Sequence, residues 1–74
     1  MTARRPSKPW RVLLTRPGDS TRTDFRSEKA TYEHVIEERR KAEEGITEVT
    51  AIRVLQWQEG RWDLYERITL DVTP

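Results

Sequence analysis

Cysteine is absent from this 74-residue chain, which excludes a disulfide framework, thiolate nucleophiles and cysteine-bearing zinc sites. There is one histidine, His34, so zinc-ligand spacing cannot be assembled from imidazoles either. Only three glycines occur, at positions 18, 45 and 60, and each sits where a turn or a helix end is expected, leaving none for a phosphate-cradling loop. No apolar run approaches the roughly 18 residues that a membrane span requires, and nothing resembles a signal-peptide core. A cytoplasmic protein is the expectation, with no cofactor, no membrane partner and no small-molecule substrate. An excess of one charge is missing too. Fourteen basic residues face thirteen acidic ones, so no global field draws the chain to nucleic acid or to an anionic surface.

What is present is polar for a folded domain. Hydrophobic residues make up 34% of the chain and the mean hydropathy is −0.93. At this length burial and chain entropy nearly cancel. The core must therefore lean on a few large side chains: Trp10, Phe25, Tyr32, Trp57, Trp62 and Tyr65.

Residues 1–9 carry two prolines and three cations without apolar periodicity and read as a disordered basic arm. Residues 10–72 read as one domain. Strand character runs over about 10–15, with Trp10, Val12 and Leu14 on one face and Leu13 on the other. Arg16-Pro17-Gly18-Asp19 is a turn signal, because proline presets φ and glycine supplies the positive φ of a type II turn. Ser20 to Asp24 reads as loop, with a short strand at 22–26 that turns Phe25 toward the core. Ser27 is an N-cap candidate for a helix over about 28–44 that stops at Gly45. Its expected buried stripe is Tyr32, Val35, Ile36, Arg39 and Ala42. Glu37 and Lys41 form an i,i+4 pair, and Glu43 and Glu44 sit unfavourably at the negative helix end.

Two strand-like runs, about 49–57 and 61–72, flank Gln58-Glu59-Gly60-Arg61 and read as a hairpin. The element order is β, an optional β, α, β, β. This predicts an α+β domain, with a three- to four-stranded, mostly antiparallel sheet and one helix packed on one face. The hairpin register decides which face is core. A two-residue type I′ turn puts Glu59 at positive φ, which glutamate resists. A type I turn through Gln58 and Glu59 with Gly60 in a bulge strains nothing, and it pairs Trp57 with Arg61 and Val54 with Leu64. Ile52, Val54, Trp62, Leu64, Ile68 and Leu70 then lie under the helix, while Arg53, Leu55, Trp57, Arg61, Tyr65 and Arg67 face outward. In the rival tight-turn register Trp57 joins Trp62, Leu55 and Leu64 on one face, Arg53 pairs with Glu66, both tryptophans become structural, and most of the functional reading of the face falls away. One residue of slip separates the two.

No constellation supports catalysis. His34 lies off the apolar stripe as a solvated imidazole. Ser7, Ser20 and Ser27 occupy arm, loop and cap, and the Glu37/Glu38 and Glu43/Glu44 pairs belong to a solvated helix face. The expected role is that of a non-enzymatic protein-interaction or adaptor module, binding an unidentified protein or a second copy of itself. Its candidate residues are Trp57, Tyr65, Arg53, Arg61 and Arg67, an aromatic–arginine mixture typical of interface hot spots. The alternative is a nucleic-acid-binding module. Residues 1–26 hold seven cations against Asp19 and Asp24, so Arg4 and Arg5 could grip phosphates while the aromatic–arginine face stacks bases.

Overall fold

Proline followed by glycine reverses the chain where the turn chemistry requires it. The computed structural model describes residues 6–70. In it strand β1 (Trp10–Arg16) passes through Pro17 and Gly18 into β2 (Asp19–Phe25), with Gly18 at φ 75°. Helix α1 (Glu28–Glu43) follows, then β3 (Ala51–Gln58) and β4 (Arg61–Thr69). The strand order is β2-β1-β3-β4, and all neighbouring strands are antiparallel. The α+β architecture is therefore as predicted, with four strands in one open sheet.

The second strand is longer than its sequence suggests. Asp19 to Thr23 are exposed, so no period-2 hydrophobic signal marks them. They pair in full with β1, from Trp10 opposite Phe25 to Arg16 opposite Asp19. Ladder hydrogen bonds rather than burial make this segment a strand. Pro9, expected within the arm, is buried, and its carbonyl accepts the Trp57 N–H at 2.8 Å. Residues 1–5, and with them Arg4 and Arg5, lie outside the described residues, as do 71–74.

The helix caps follow from local chemistry. Ser27 has extended backbone, and its hydroxyl accepts the Ala30 N–H at 3.1 Å. At the other end Gly45 adopts φ 76°. The Ile46 N–H reaches the Lys41 carbonyl (2.8 Å) and the Gly45 N–H reaches that of Ala42 (3.1 Å), which is the Schellman arrangement.

The buried stripe differs from the expected one. It is Thr31, Val35, Glu38 and Ala42, while Ile36 is 66% exposed and Arg39 is exposed. Two polar residues can turn inward because each is satisfied locally. The Thr31 hydroxyl donates to the Ser27 carbonyl at 2.7 Å, and the Glu38 carboxylate meets Lys41 at 3.4 Å. Lys41 is thus paired with Glu38 rather than Glu37. Arg40 instead bridges Glu37 and Glu44, and Arg39 takes Glu43. These pairs neutralise the two glutamates at the negative helix end, and the hydrogen bond from Arg40 holds the Glu37 carboxyl below its usual range. His34 is half-buried, not solvated, with its ring 5.1 Å from that of Phe25.

One apolar layer lies between helix and sheet: Trp10, Val12, Leu14, Val35, Ala42, Val49, Ile52 and Val54, edged by Phe25, Tyr32, Ile68 and Leu70. The helix rests over β1 and β2. It is tied to β4 by two tyrosines, Tyr32 donating to Glu66 and Tyr65 donating to Glu28 at 2.7 Å.

Candidate functional site: the uncovered sheet face

The register of the second hairpin builds this face, and it is not the strain-free one. Trp57 lies opposite Trp62 and Gln58 opposite Arg61, so the turn is the two-residue Glu59-Gly60 form. Glu59 sits at φ 49° and Gly60 at φ 86°, as a type I′ turn requires. A non-glycine residue in the left-handed region costs about 1–2 kcal/mol. Opposing that cost, the Trp57 and Trp62 rings pack edge to face with centroids 5.5 Å apart, an arrangement worth about 0.5–1.5 kcal/mol beyond area burial. Leu55 lies opposite Leu64 on the same face. The Arg11 guanidinium also stacks 3.9 Å from the Trp62 ring centre, which adds about 0.5–1 kcal/mol at a partly exposed site. Together these contacts outweigh the strained glutamate.

The register then shifts by one residue between Val54 and Leu55, where Tyr65 is the extra residue of β4. Beyond this bulge Ile52 pairs with Ile68 and Arg53 with Arg67; Arg53 does not meet Glu66. The bulge keeps Ile68 on the helix side even though the tight turn has sent Trp62 and Leu64 to the other side. The expectation that Trp62 and Leu64 pack under the helix is thereby overturned. The tight-turn register instead places Trp57 and Trp62 together, with a structural part in holding that turn, as this register predicts. They are half-buried on the face that no helix covers.

Of the residues expected to form a binding face, Trp57, Arg53 and Arg67 share this surface. Tyr65 does not, because the bulge turns it toward the helix. There its ring meets Trp10 edge-on at 4.9 Å and Tyr32 at 6.4 Å. The hydrogen bond to Glu28 raises the Tyr65 hydroxyl pKa. Burial, followed by the bond to Glu66, does the same for Tyr32. Arg61 also alternates to the other side and pairs with Asp63 at 2.9 Å. Arg4 and Arg5 lie outside the described residues. In place of Tyr65 and Arg61, the face gains Trp62, Leu64, Arg11, Leu13 and Arg22. Strict alternation along β1 is the signal that marks Arg11 and Leu13, since Trp10, Val12 and Leu14 are core.

Three strips cross the face. The first is apolar: Trp57 and Trp62, then Leu55 and Leu64, the last 58% exposed. Arg11 borders it, anchored to Asp24 at 3.0 Å. The second is a row running through all four strands, Arg22, Leu13, Arg53 and Arg67, each directly opposite the next. The third is small and polar. Here a depression of about 530 Å³ opens between Arg53, Arg67, Thr15, Thr50, Ala51 and Thr69. Among the described residues the face carries four arginines against the single carboxylate of Asp24, whereas α1 carries five glutamates and four cations.

The arginine row has a physical consequence. Like charges directly opposite on antiparallel strands destabilise a sheet, and among the described residues neither Arg53 nor Arg67 has a carboxylate partner. Also among the described residues, no group of three or more histidine, aspartate or glutamate side chains could hold a metal ion, and no helix is long and apolar enough to cross a membrane. No family model, curated protein or solved structure matches the chain.

Proposed function

We propose that the chain is a non-enzymatic protein-interaction module that meets its partner with the sheet face opposite α1. The observation that carries this reading is the Trp57–Trp62 pair. It is half-buried, braced by Arg11, and set among leucines and arginines on a face with no lysine. Tryptophan and arginine dominate interface hot spots while lysine is depleted there. Rigid, pre-packed rings also lose little conformational entropy on association. The four arginines argue against two copies packing face to face, since each would meet its own charge, and so favour a different protein as partner. A chain without cysteine suits a cytoplasmic setting.

Nucleic-acid binding is the second reading, favoured by the row Arg22, Arg53 and Arg67. It is weakened by the tryptophan geometry. One face of Trp62 already holds a guanidinium and each indole abuts the other, which leaves less open ring surface than base stacking uses.

A photo-crosslinking amino acid placed at Leu64 and, separately, at Ile36 tests the proposal in the native host. Both positions are exposed apolar residues, but they lie on opposite sides of the domain. Discrete protein adducts from position 64 alone are expected. Identical adducts from both positions, or nucleic-acid adducts from position 64, would overturn it.

A further inference from the structure

We infer that the partner docks through a carboxylate-bearing segment, with Arg53 and Arg67 clamping an acidic side chain while the Trp57–Trp62 strip receives an apolar one. This rests on the reading of the face as an interface and names the chemistry of what it binds. Two guanidinium groups occupy directly opposed positions on adjacent strands, a third joins the row at Arg22, and no described carboxylate answers Arg53 or Arg67. Among the described residues that juxtaposition is an unanswered repulsion. A ligand oxyanion between the two converts it into a set of charge-assisted hydrogen bonds, for which the planar fork of arginine is suited.

The surroundings favour a side chain over a bulk ion. The depression is lined by the two arginines together with Thr15, Thr50, Ala51, Thr69 and Leu70. A short acidic side chain can enter it while its backbone stays above the sheet.

The spacing identifies the rest of the ligand. Trp57 is four residues from Arg53 along β3, a distance of about 13 Å at the rise of an extended strand. Leu55 and Leu64 fill the interval with apolar surface. An extended partner segment running parallel to β3 would thus place its acidic residue and a bulky apolar residue four positions apart. Nucleic acid repeats its charge at every unit and offers nothing to the leucines between. A segment alternating charge and apolar bulk matches both strips.

The test uses the full chain and three probes. One is a peptide with two adjacent glutamates and a phenylalanine four residues on; the second is the same peptide with glutamines for the glutamates; the third is an oligothymidylate. Fluorescence reports binding, because Trp10 is 7% exposed on the other side of the sheet and a signal change from the face arises at Trp57 and Trp62. The glutamate peptide is expected to bind at least about tenfold tighter than the glutamine peptide. That ratio is expected to collapse toward one in the Arg53→Gln/Arg67→Gln variant, which removes a repulsion and is expected to keep or raise its thermal midpoint.

Equal affinity for the two peptides overturns the carboxylate clamp, as does no binding of either up to millimolar concentration. Tighter and steeply salt-dependent binding of the oligothymidylate overturns it in favour of nucleic acid. Leu64→Asp separates the two levels of inference. If the peptides bind alike and Leu64→Asp abolishes both, the interface reading stands and only the clamp fails. If Leu64→Asp leaves peptide binding unchanged, the interface reading itself fails.

Discussion

Val12, Leu14, Ile52 and Val54 on one side of the sheet, and Leu13, Leu55 and Trp57 on the other, come from alternate positions of β1 and β3, and Leu64 of β4 joins the second set. The first set is covered by α1 and at most 4% exposed. The second set is half-buried or exposed and meets arginines rather than a second layer. Aliphatic content alone does not separate the two sides. They differ in what shares each face: Thr31, Val35 and Ala42 from a helix on one, Arg11, Arg22, Arg53 and Arg67 from the sheet itself on the other. A row of guanidinium groups keeps the second face wet and leaves its aromatic pair available, so one sheet serves as both foundation and candidate interface.

The largest effect that could break this comparison is core truncation. Ile52→Ala is expected to cost about 2–5 kcal/mol, enough to unfold much of a domain of this size. Leu64→Ala, also an aliphatic truncation but on the uncovered face, should stay within about 0.5 kcal/mol. Urea unfolding of both variants measures the contrast, and similar losses would mean that the second face is core after all.

Next comes the tryptophan pair. A double-mutant cycle on Trp57→Ala and Trp62→Ala should return a coupling of about 0.5–1.5 kcal/mol. Zero coupling would show that the bulged-turn register, not the tight one, is populated.

A stabilising change sharpens the same point. Glu59→Asn supplies the residue that the type I′ turn prefers and is expected to gain up to about 1 kcal/mol, read as a rise in thermal midpoint. A loss of stability would again favour the other register.

Smallest is the charge term on the uncovered face. Arg67→Thr is expected to stabilise the fold by a few tenths of a kcal/mol, up to about 1 kcal/mol, more at low salt than at high. The same variant should weaken the proposed binding. A residue that lowers stability yet serves recognition fits a functional site better than a structural one.

How much of this was legible beforehand varies by segment. The Pro17-Gly18 turn, the Ser27 cap and the Gly45 stop could be read directly, because each depends on the backbone preferences of one or two residues. Most of β2 could not, since its residues are polar and only the neighbouring strand makes them a strand. The helix stripe was legible to within a rotation. Thr31 and Glu38 look like surface residues until Ser27 and Lys41 satisfy them, so no hydrophobic pattern could prefer them to Ile36 and Arg39. In the candidate site Trp57, Arg53 and Arg67 were identified correctly as outward-facing, whereas Tyr65 and Arg61 were not.

By itself, then, the amino-acid sequence determined the order of the elements other than β2, the caps, the first turn and the inward face of β1, all consequences of short-range sterics and alternation. Tertiary structure alone decided the fate of the hairpin. Local preference at Glu59 opposed the tight turn by about a kcal/mol or two. The packing of Trp57 on Trp62, Leu55 facing Leu64, and the stacking of Arg11 from a strand more than forty residues earlier reversed that preference. A bulge at Tyr65 then returned Ile68 to the core. Side chains distant in sequence outweighed the turn because a one-residue slip moves every side chain of a strand at once, whereas the strain it avoids sits at one residue.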